Sequence, residues 1–257
     1  MTDLSPTSQP SEFTVSLAQT ASDVAAAQAL RYDVFVRELG GDGPMVDHDQ
    51  ALEQDRFDAH CDHLLLRRKN DGQVVGVYRV MQNDGARACG GFYSEAEFDL
   101  TPLKASGKRL LELGRSCLHP SVRGGVAMLQ LWAGLARYIE DHKIDILFGV
   151  ASYHGTDTSA IIQSLSMLHR DHLAPQSIRP TALINGDTPE ILPSERNDRK
   201  IAMQQTPQLI KAYLRLGGMI GQGVYVDHAF NTTDVSLVLD VSTMTPRQRQ
   251  IYQRGIA

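Results

Sequence analysis

The chain has 257 residues, 42% of them hydrophobic, and a formal net charge of −5 at pH 7. That is enough apolar material for the core of one α/β unit with additions. The acidic balance, with no basic block, argues against nucleic acid as a partner and against purely electrostatic attachment to anionic lipid.

Residues 1–10 are rich in Ser, Thr and Pro and lack the basic and apolar segments of a signal peptide. Residues 1–12 read as a disordered tail and 13–257 as a single domain with a C-terminal extension. No apolar run is long enough to span a bilayer. Cys61, Cys89 and Cys117 contain no C-x-x-C pair and read as reduced thiols. The expectation is a soluble, cytoplasmic protein whose membrane contact is at most peripheral, at the inner face.

Phe13, Val15 and Leu17 alternate and predict a strand over 13–17. Thr20 or Ser22 caps a helix over 23–39, with Val24, Ala27, Leu30, Val34 and Phe35 on its apolar side. Gly40 to Pro44 ends it and opens an acidic loop, where Glu53, Asp55 and Asp58 put three carboxylates within six residues. Strands over 63–68 and 74–81 follow, joined across Asn70-Asp71-Gly72, a good hairpin turn. A Gly-rich polar connection leads to a strand over 110–118. There Glu112 and Arg115 stand three apart, and strand alternation puts them on opposite faces.

After Pro120, Arg123-Gly124-Gly125 precedes a periodic helix through about 142. A buried strand over 146–151 comes next, then a helix capped by Asp157 or Thr158 to about 169. Residues 170–205, with Pro175, Pro180, Pro189 and Pro193, carry no readable period. Thr206-Pro207 starts a helix that ends at Gly217-Gly218, and strands over 224–226 and 235–241 close the chain. This order predicts an α/β fold, a mixed central sheet with helices on both faces.

Several motifs fail on inspection. Gly114-Arg-Ser116-Cys-Leu118 begins like a nucleophile elbow, but Leu118 replaces the second Gly and the segment lies inside a strand. None of the nine histidines has an Asp five residues on, so an H-x-x-x-x-D acyltransferase pair is absent. His60-Cys61-Asp62-His63 looks like a metal cluster, but neighbours on an extended chain diverge, and the four read as strand-edge residues. No metal is expected. The glycines at 217, 218, 221 and 223 follow a helix rather than a strand, which is wrong for a dinucleotide loop.

Charges in an apolar strand are costly to bury unless they pair. Glu112, Arg115, Arg79 and the acidic loop therefore lead as a polar site. A set of structural ion pairs between the loop and Arg56, Arg79 and Arg115 competes with that reading. Arg123-Gly124-Gly125 either presents helix amides to a phosphate or forms a tight turn.

At these residues the chain resembles a known group. Leu30-Arg31-x-x-Val34-Phe35, Glu53-x-Asp55-x-Phe57-Asp58, Val75-Gly76-x-Tyr78-Arg79 and Leu111-Glu112-Leu113-Gly114-Arg115 resemble the autoinducer synthases, which have an acyl-CoA N-acyltransferase (GNAT)-like fold. A wider set of segments resembles the bacterial ornithine Nα-acyltransferases over nearly the whole chain. It includes Cys61-Asp62-His63-Leu64-Leu65, the run from Gly91 to Leu100, Glu112 to Cys117, Leu147-Phe148-Gly149, Ile210 to Gly217 and Phe230 to Val235.

That resemblance implies transfer of a fatty acyl group, typically 3-hydroxyacyl, from acyl carrier protein to the α-amine of L-ornithine. It implies no bound cofactor, with the acyl-phosphopantetheine of the carrier as donor. The superfamily's [Q/R]-x-x-G-x-[G/A] loop is not matched by Arg123-Gly124-Gly125. A carrier's phosphopantetheine has no pyrophosphate for such a loop to grip, which favours the carrier over coenzyme A.

In this frame Glu112, Arg115 and Arg79 are the expected catalytic residues, with Glu112 as base. Glu53, Asp55 and Asp58, with Arg31 and Phe35, are expected to bind the acceptor, the carboxylates holding its side-chain ammonium. Ser116, Cys117, Arg123, Gly124 and Gly125 are expected along the thioester and pantetheine. Lys104, Lys108, Arg109 and Arg137 are expected to dock the acidic carrier, and a peripheral membrane contact is expected for product release. A homoserine lactone synthase using S-adenosylmethionine competes, although the C-terminal segments weigh against it. A non-catalytic carrier- or lipid-binding module is the other alternative.

Overall fold

The computed structural model describes residues 12–183 and 196–253, so the expected tail, Glu12 apart, lies outside the described residues, as do Pro189 and Pro193. After β1 (Phe13–Leu17), Thr20 Oγ1 accepts the Asp23 N–H while Asp23 Oδ2 accepts the Thr20 N–H. This capping box starts α1 (Ala21–Arg31). The helix does not continue as the predicted α-helix to 39. It widens into a π-helical stretch over Tyr32–Glu38, a geometry that collects at functional sites.

β2 (Asp62–Arg68) and β3 (Val74–Gln82) form the predicted hairpin, with Gly72 at φ +71° in its turn. The connection to the next long strand is not irregular throughout. It contains α2 (Asn83–Cys89), β4 (Phe98–Asp99) and α3 (Thr101–Ala105), all too short to impose a period on the sequence. β5 (Leu110–Leu118), α4 (Ala127–Asp141), β6 (Ile146–His154) and α5 (Ile162–Asp171) follow as the pattern predicts. The region without a readable period contributes β7 (Thr181–Ala182), which pairs with β4, and α6 (Arg199–Gln205). The chain closes with α7 (Gln208–Arg215), β8 (Met219–Ile220), β9 (Tyr225–Asp227), β10 (Thr232–Asp240) and α8 (Pro246–Gln253).

The main sheet runs β1-β2-β3-β5-β6-β10-β8, with β9 also on β10, and β5–β6 is its parallel pair. Leu131, Leu135 and Ile139 of α4 pack with Leu64, Leu66 and Val80 on one face. Ala27 and Leu30 of α1, with Val34 of the π-helical stretch, cover Leu65, Val77 and Cys117 on the other, as the period of two requires.

Two local devices shape the middle of this sheet. β5 and β6 pair only from Leu110↔Ile146 to Glu112↔Phe148, although β5 runs on to Leu118 and β6 to His154. The strands part at Gly149, where a Cβ would stand 2.1 Å from the Leu113 carbonyl oxygen. Any side chain there would force the strands apart earlier. Secondly, Val77 pairs with Cys117 and Arg79 with Gly114, so Arg115 and Ser116 together oppose Tyr78 in a β-bulge. Arg115 sits there at φ +51°. The bulge breaks the alternation and turns Arg115 toward the side that Glu112 faces, correcting the expectation of opposite faces.

Candidate active site

The parted strands open into a cavity of about 260 Å³. Glu112, Arg115 and Ser116 of β5 face it, with Arg79 of β3, Phe35 of the π-helical stretch and Tyr93. A second, apolar pocket shares Tyr78, Leu113, Val150, Ala151 and Leu209 with the first and continues toward Tyr213, Leu237 and Leu239. Past Glu112 the β5 edge has no partner on the β6 side, which leaves backbone polar groups open to the fork.

The acidic loop and the arginines do come together, in a specific way. Arg31 donates to Asp58 from Nη1 and Nη2 at 2.8 and 3.2 Å. Arg79 Nη1 reaches Asp58 Oδ1 at 2.7 Å and Asp55 Oδ1 at 2.6 Å. Arg115 donates from Nη2 to Asp55 at 3.2 Å and from Nε to Glu53 at 3.0 Å. Glu53 Oε2 accepts from Arg31 Nε and closes the circuit. Three arginines and three carboxylates thus alternate around a closed, charge-neutral ring, with Gln28 Nε2 adding a 2.9 Å bond to Asp58.

Burial alone pushes the Asp58 carboxyl up, but Arg31 and Arg79 outweigh it and hold it well below the usual carboxylate range. Arg31, fully buried, and Glu53, Asp55 and Asp58 stand behind the cavity wall rather than in it. Arg56 stays outside the ring, bonding the Cys89 carbonyl at 3.0 Å.

Glu112 has different partners. Its Oε2 accepts the Tyr93 N–H at 2.9 Å, and its Oε1 accepts the Ser94 N–H and Oγ–H at 2.7 and 2.5 Å. Burial pushes its carboxyl up, against these hydrogen bonds and the charge of Arg79. Glu112 therefore fixes the short 3-10 turn Tyr93–Ala96 across the site. The Tyr93 ring in turn lies 4.6 Å from the Arg115 guanidinium carbon.

A buried, arginine-walled cavity at a split parallel strand pair has counterparts among known proteins. Residues 30–133 match the acetyltransferase (GNAT) domain family. The chain is 50% identical over 252 residues to the L-ornithine N(alpha)-acyltransferase of Rhodobacter capsulatus, covering 96% of this chain and 97% of that one. It is 39% identical over 246 residues to the Brucella abortus enzyme of the same name, covering 93% and 88%. The chain belongs to the L-ornithine Nα-acyltransferase family. It is an acyltransferase of GNAT fold.

Solved structures agree on the fold. An N-acyl amino acid synthase from uncultured soil microbes superposes with a TM-score of 0.55 at 12% identity, covering 92% of this chain and 97% of that one. A CoA-dependent acyl-homoserine lactone synthase gives 0.52 at 14% identity, covering 95% of each. Acyltransferases of this fold draw on an acyl carrier or coenzyme A thioester. Among the described residues no helix is long and apolar enough to cross a membrane.

Within this family frame the other expected residues separate into two groups. Ser116 lines the cavity, whereas the Cys117 side chain is buried under α1, its thiol pushed up to about 12 by burial. Arg123 makes a two-pronged pair with Glu38 at 2.5 and 2.7 Å, and Gly124 takes φ +78° in the turn before α4. This turn follows the open end of β5. Lys104, Lys108 and Arg109 precede β5, at the end where it is still joined to β6, and each is paired: with Glu95 at 2.9 Å, Asp240 at 2.5 Å and Asp145 at 3.1 Å. Arg137 is exposed on α4. His63, from the apparent metal cluster, is buried with Nε2 3.1 Å from the Asp58 carbonyl oxygen.

Sequence reasoning missed Tyr93 and Ser94, which hold Glu112, and three acids that also line the cavity: Glu97, Asp227 and Asp234. The runs from Gly91 to Leu100 and from Phe230 to Val235 already carry the resemblance. Glu97 and Asp234 lie inside them, but no spacing rule joins positions so far apart.

Proposed function

We propose that this acyltransferase joins a 3-hydroxy fatty acyl group from acyl carrier protein to the α-amine of L-ornithine, the first step toward ornithine lipid. The observation that carries this reading is the fork, where a polar cavity with arginines meets a small apolar pocket between β5, β6 and β10. Family membership supplies the acceptor.

The α-ammonium first loses a proton, to Glu112 directly or through one water. An α-amino group gives up its proton about two to three pKa units more readily than a side-chain amine. The neutral nitrogen then attacks the thioester carbonyl. As the tetrahedral adduct collapses the C–S bond breaks, the nitrogen loses a second proton, and the donor's phosphopantetheine sulfur leaves as the thiol with that proton. A guanidinium carries five N–H donors, and Arg115 bonds two ring carboxylates, so it retains donors for the acceptor's α-carboxylate. Open N–H groups of β5 beyond Glu112 are suited to the oxyanion.

For the donor, the turn Arg123-Gly124-Gly125 beside the open end takes the pantetheine phosphodiester. Val126 and Leu129, 53% and 59% exposed, flank it with apolar surface. Arg123, like Lys104, Lys108 and Arg109, must give up an intramolecular partner to dock a carrier. It is preferred as the docking side because its turn lies at the open end of β5, next to α4, rather than at the joined end. The enzyme works in the cytoplasm and releases its amphiphilic product through a peripheral membrane contact.

The test is incubation of the purified protein with 3-hydroxyacyl carrier protein or the matching coenzyme A thioester, with L-ornithine or S-adenosylmethionine, and mass analysis of products. The expected result is Nα-acylornithine from the carrier donor. Equal use of coenzyme A removes the donor assignment, a homoserine lactone replaces the acceptor, and no product leaves a binding module. Arg123→Ala should raise the donor KM several-fold and flatten its salt dependence. A larger effect from reversing Lys104, Lys108 and Arg109 to Glu would move docking to the joined end.

A further inference from the structure

The ring of arginines and carboxylates balances its own charge. The cavity's other acidic group does not. Glu97 follows the turn that Glu112 anchors, Asp227 ends β9, and Asp234 lies two residues beyond Thr232, its cross-strand partner in β10. Carboxylate oxygens of the three lie within 4.8 Å of one another. Glu97 and Asp234 are only 5% and 2% exposed, and Glu97 Oε2 and Asp234 Oδ1 have no hydrogen-bond partner. Asp227 Oδ1 accepts the Ala229 and Phe230 N–H groups at 2.8 and 3.1 Å, and Asp234 Oδ2 accepts from Thr232 Oγ1 at 3.1 Å.

Three carboxylates gathered in a buried cavity repel one another and lack solvation. Burial, then Asp234 and Asp227, push the Glu97 carboxyl up to about 9. Burial raises Asp234 to about 6, with the neighbouring Ser152 and Thr232 hydroxyls restraining it. Arg115 is the cation whose charge opposes both shifts, but two of its nitrogens are bonded to Glu53 and Asp55. The group has no cation of its own, since Arg115 already belongs to the balanced ring.

Taking the acyl-transfer reading as its basis, we propose that Glu97, Asp227 and Asp234 receive the side-chain ammonium of the amino-acid acceptor and so select a diamino acid over a neutral one. An ammonium brings three N–H donors, enough for the two orphaned oxygens and one more. Held there, the distal amine stays protonated and cannot attack, while the α-amine remains free near Glu112 and the α-carboxylate near Arg115. Selection of the α-position then follows from the charge layout. Glu53, Asp55 and Asp58, expected from the sequence to hold this ammonium, already have arginine partners.

The test measures binding without a donor, by calorimetry and thermal shift, on the full chain. The ligands are L-ornithine, L-norvaline (which lacks the distal amine) and calcium ion. The wild type should bind ornithine at least about ten-fold tighter than norvaline, consistent with one charge-assisted hydrogen bond. Glu97→Gln and Asp234→Asn should remove that preference and leave norvaline binding unchanged.

Stability without ligand supplies a readout that a merely structural carboxylate would move the other way. Glu97 binds its proton more tightly when folded, so its contribution to stability is complete below about pH 4.3 and declines as the pH rises through about 9. Asp227, Asp234, Glu112 and Arg115 are the charged groups facing it. Glu97→Gln should therefore melt no lower than the wild type at pH 8, and relatively higher at pH 9. An unchanged ornithine preference, an equal loss for norvaline, or calcium binding that competes with ornithine would each overturn the proposal. Ornithine binding of the expected kind without acyl transfer would defeat the function and spare the pocket. Acylation by Glu97→Gln with an unaltered ornithine KM would do the reverse.

Discussion

Glu112→Gln should lower kcat by about 10²–10⁴-fold and leave the KM for L-ornithine little changed. The substitution keeps shape and removes the proton acceptor. Burial pushes this carboxyl up toward the range in which a Glu accepts a proton near neutral pH. The same residue also anchors Tyr93 and Ser94, and a Gln offers one acceptor oxygen where Glu112 offers two. Its amide must face a backbone N–H in either orientation, so a fall of several degrees in Tm is expected as well. The pH profile separates the two roles. If Glu112 is the base, the acid limb of kcat/KM disappears in the variant. If kcat stays near normal while Tm falls, Glu112 only positions the turn.

Arg31→Met should cost about 3–5 kcal/mol of stability, because it strands Glu53 and Asp58 without their buried partner. For a chain of this size that is roughly 10 °C in Tm. Asp55→Asn with Asp58→Asn should likewise lower stability before it alters ornithine KM selectively. The pH dependence has a definite sign. Asp58 is held below its ordinary value when folded, so its contribution is complete above about pH 3.9 and is lost as the pH falls toward the lower folded value. Thermal melts from pH 7 to pH 3 check this, and a ring variant that melts like the wild type at neutral pH would show that the ring adds little.

Long periodic elements were legible from the residues: the alternation in β1, the hairpin at Asn70-Asp71-Gly72 and the amphipathic α4 all lie where their patterns require. The short α2, α3 and α6 were not, since five to seven residues cannot establish a period. Glu112 and Arg115 were found by their chemistry but misjudged in direction. A rule of two assumes an unbroken ladder, and the bulge at Arg115 inserts a residue into it. The acidic loop was found too, but the sequence left open whether its charges face a ligand or one another. Glu97, Asp227 and Asp234 meet because β9 folds back on β10 and Glu97 directly follows the Tyr93–Ala96 turn that Glu112 anchors, and no local pattern encodes that.

The brevity of the β5–β6 pairing has a consequence for how the halves of the molecule communicate. β1, β2, β3 and β5 form one leaf and carry Arg79 and Arg115; β6, β8, β9 and β10 form the other and carry Asp227 and Asp234. Between the leaves the ladder spans only Leu110 to Glu112 and Ile146 to Phe148. An acceptor held by Arg115 at one end and Asp234 at the other is a strut across that cleft. In the empty protein, substitutions on opposite leaves should combine nearly additively. With the strut in place they share a partner, and their effects should become interdependent.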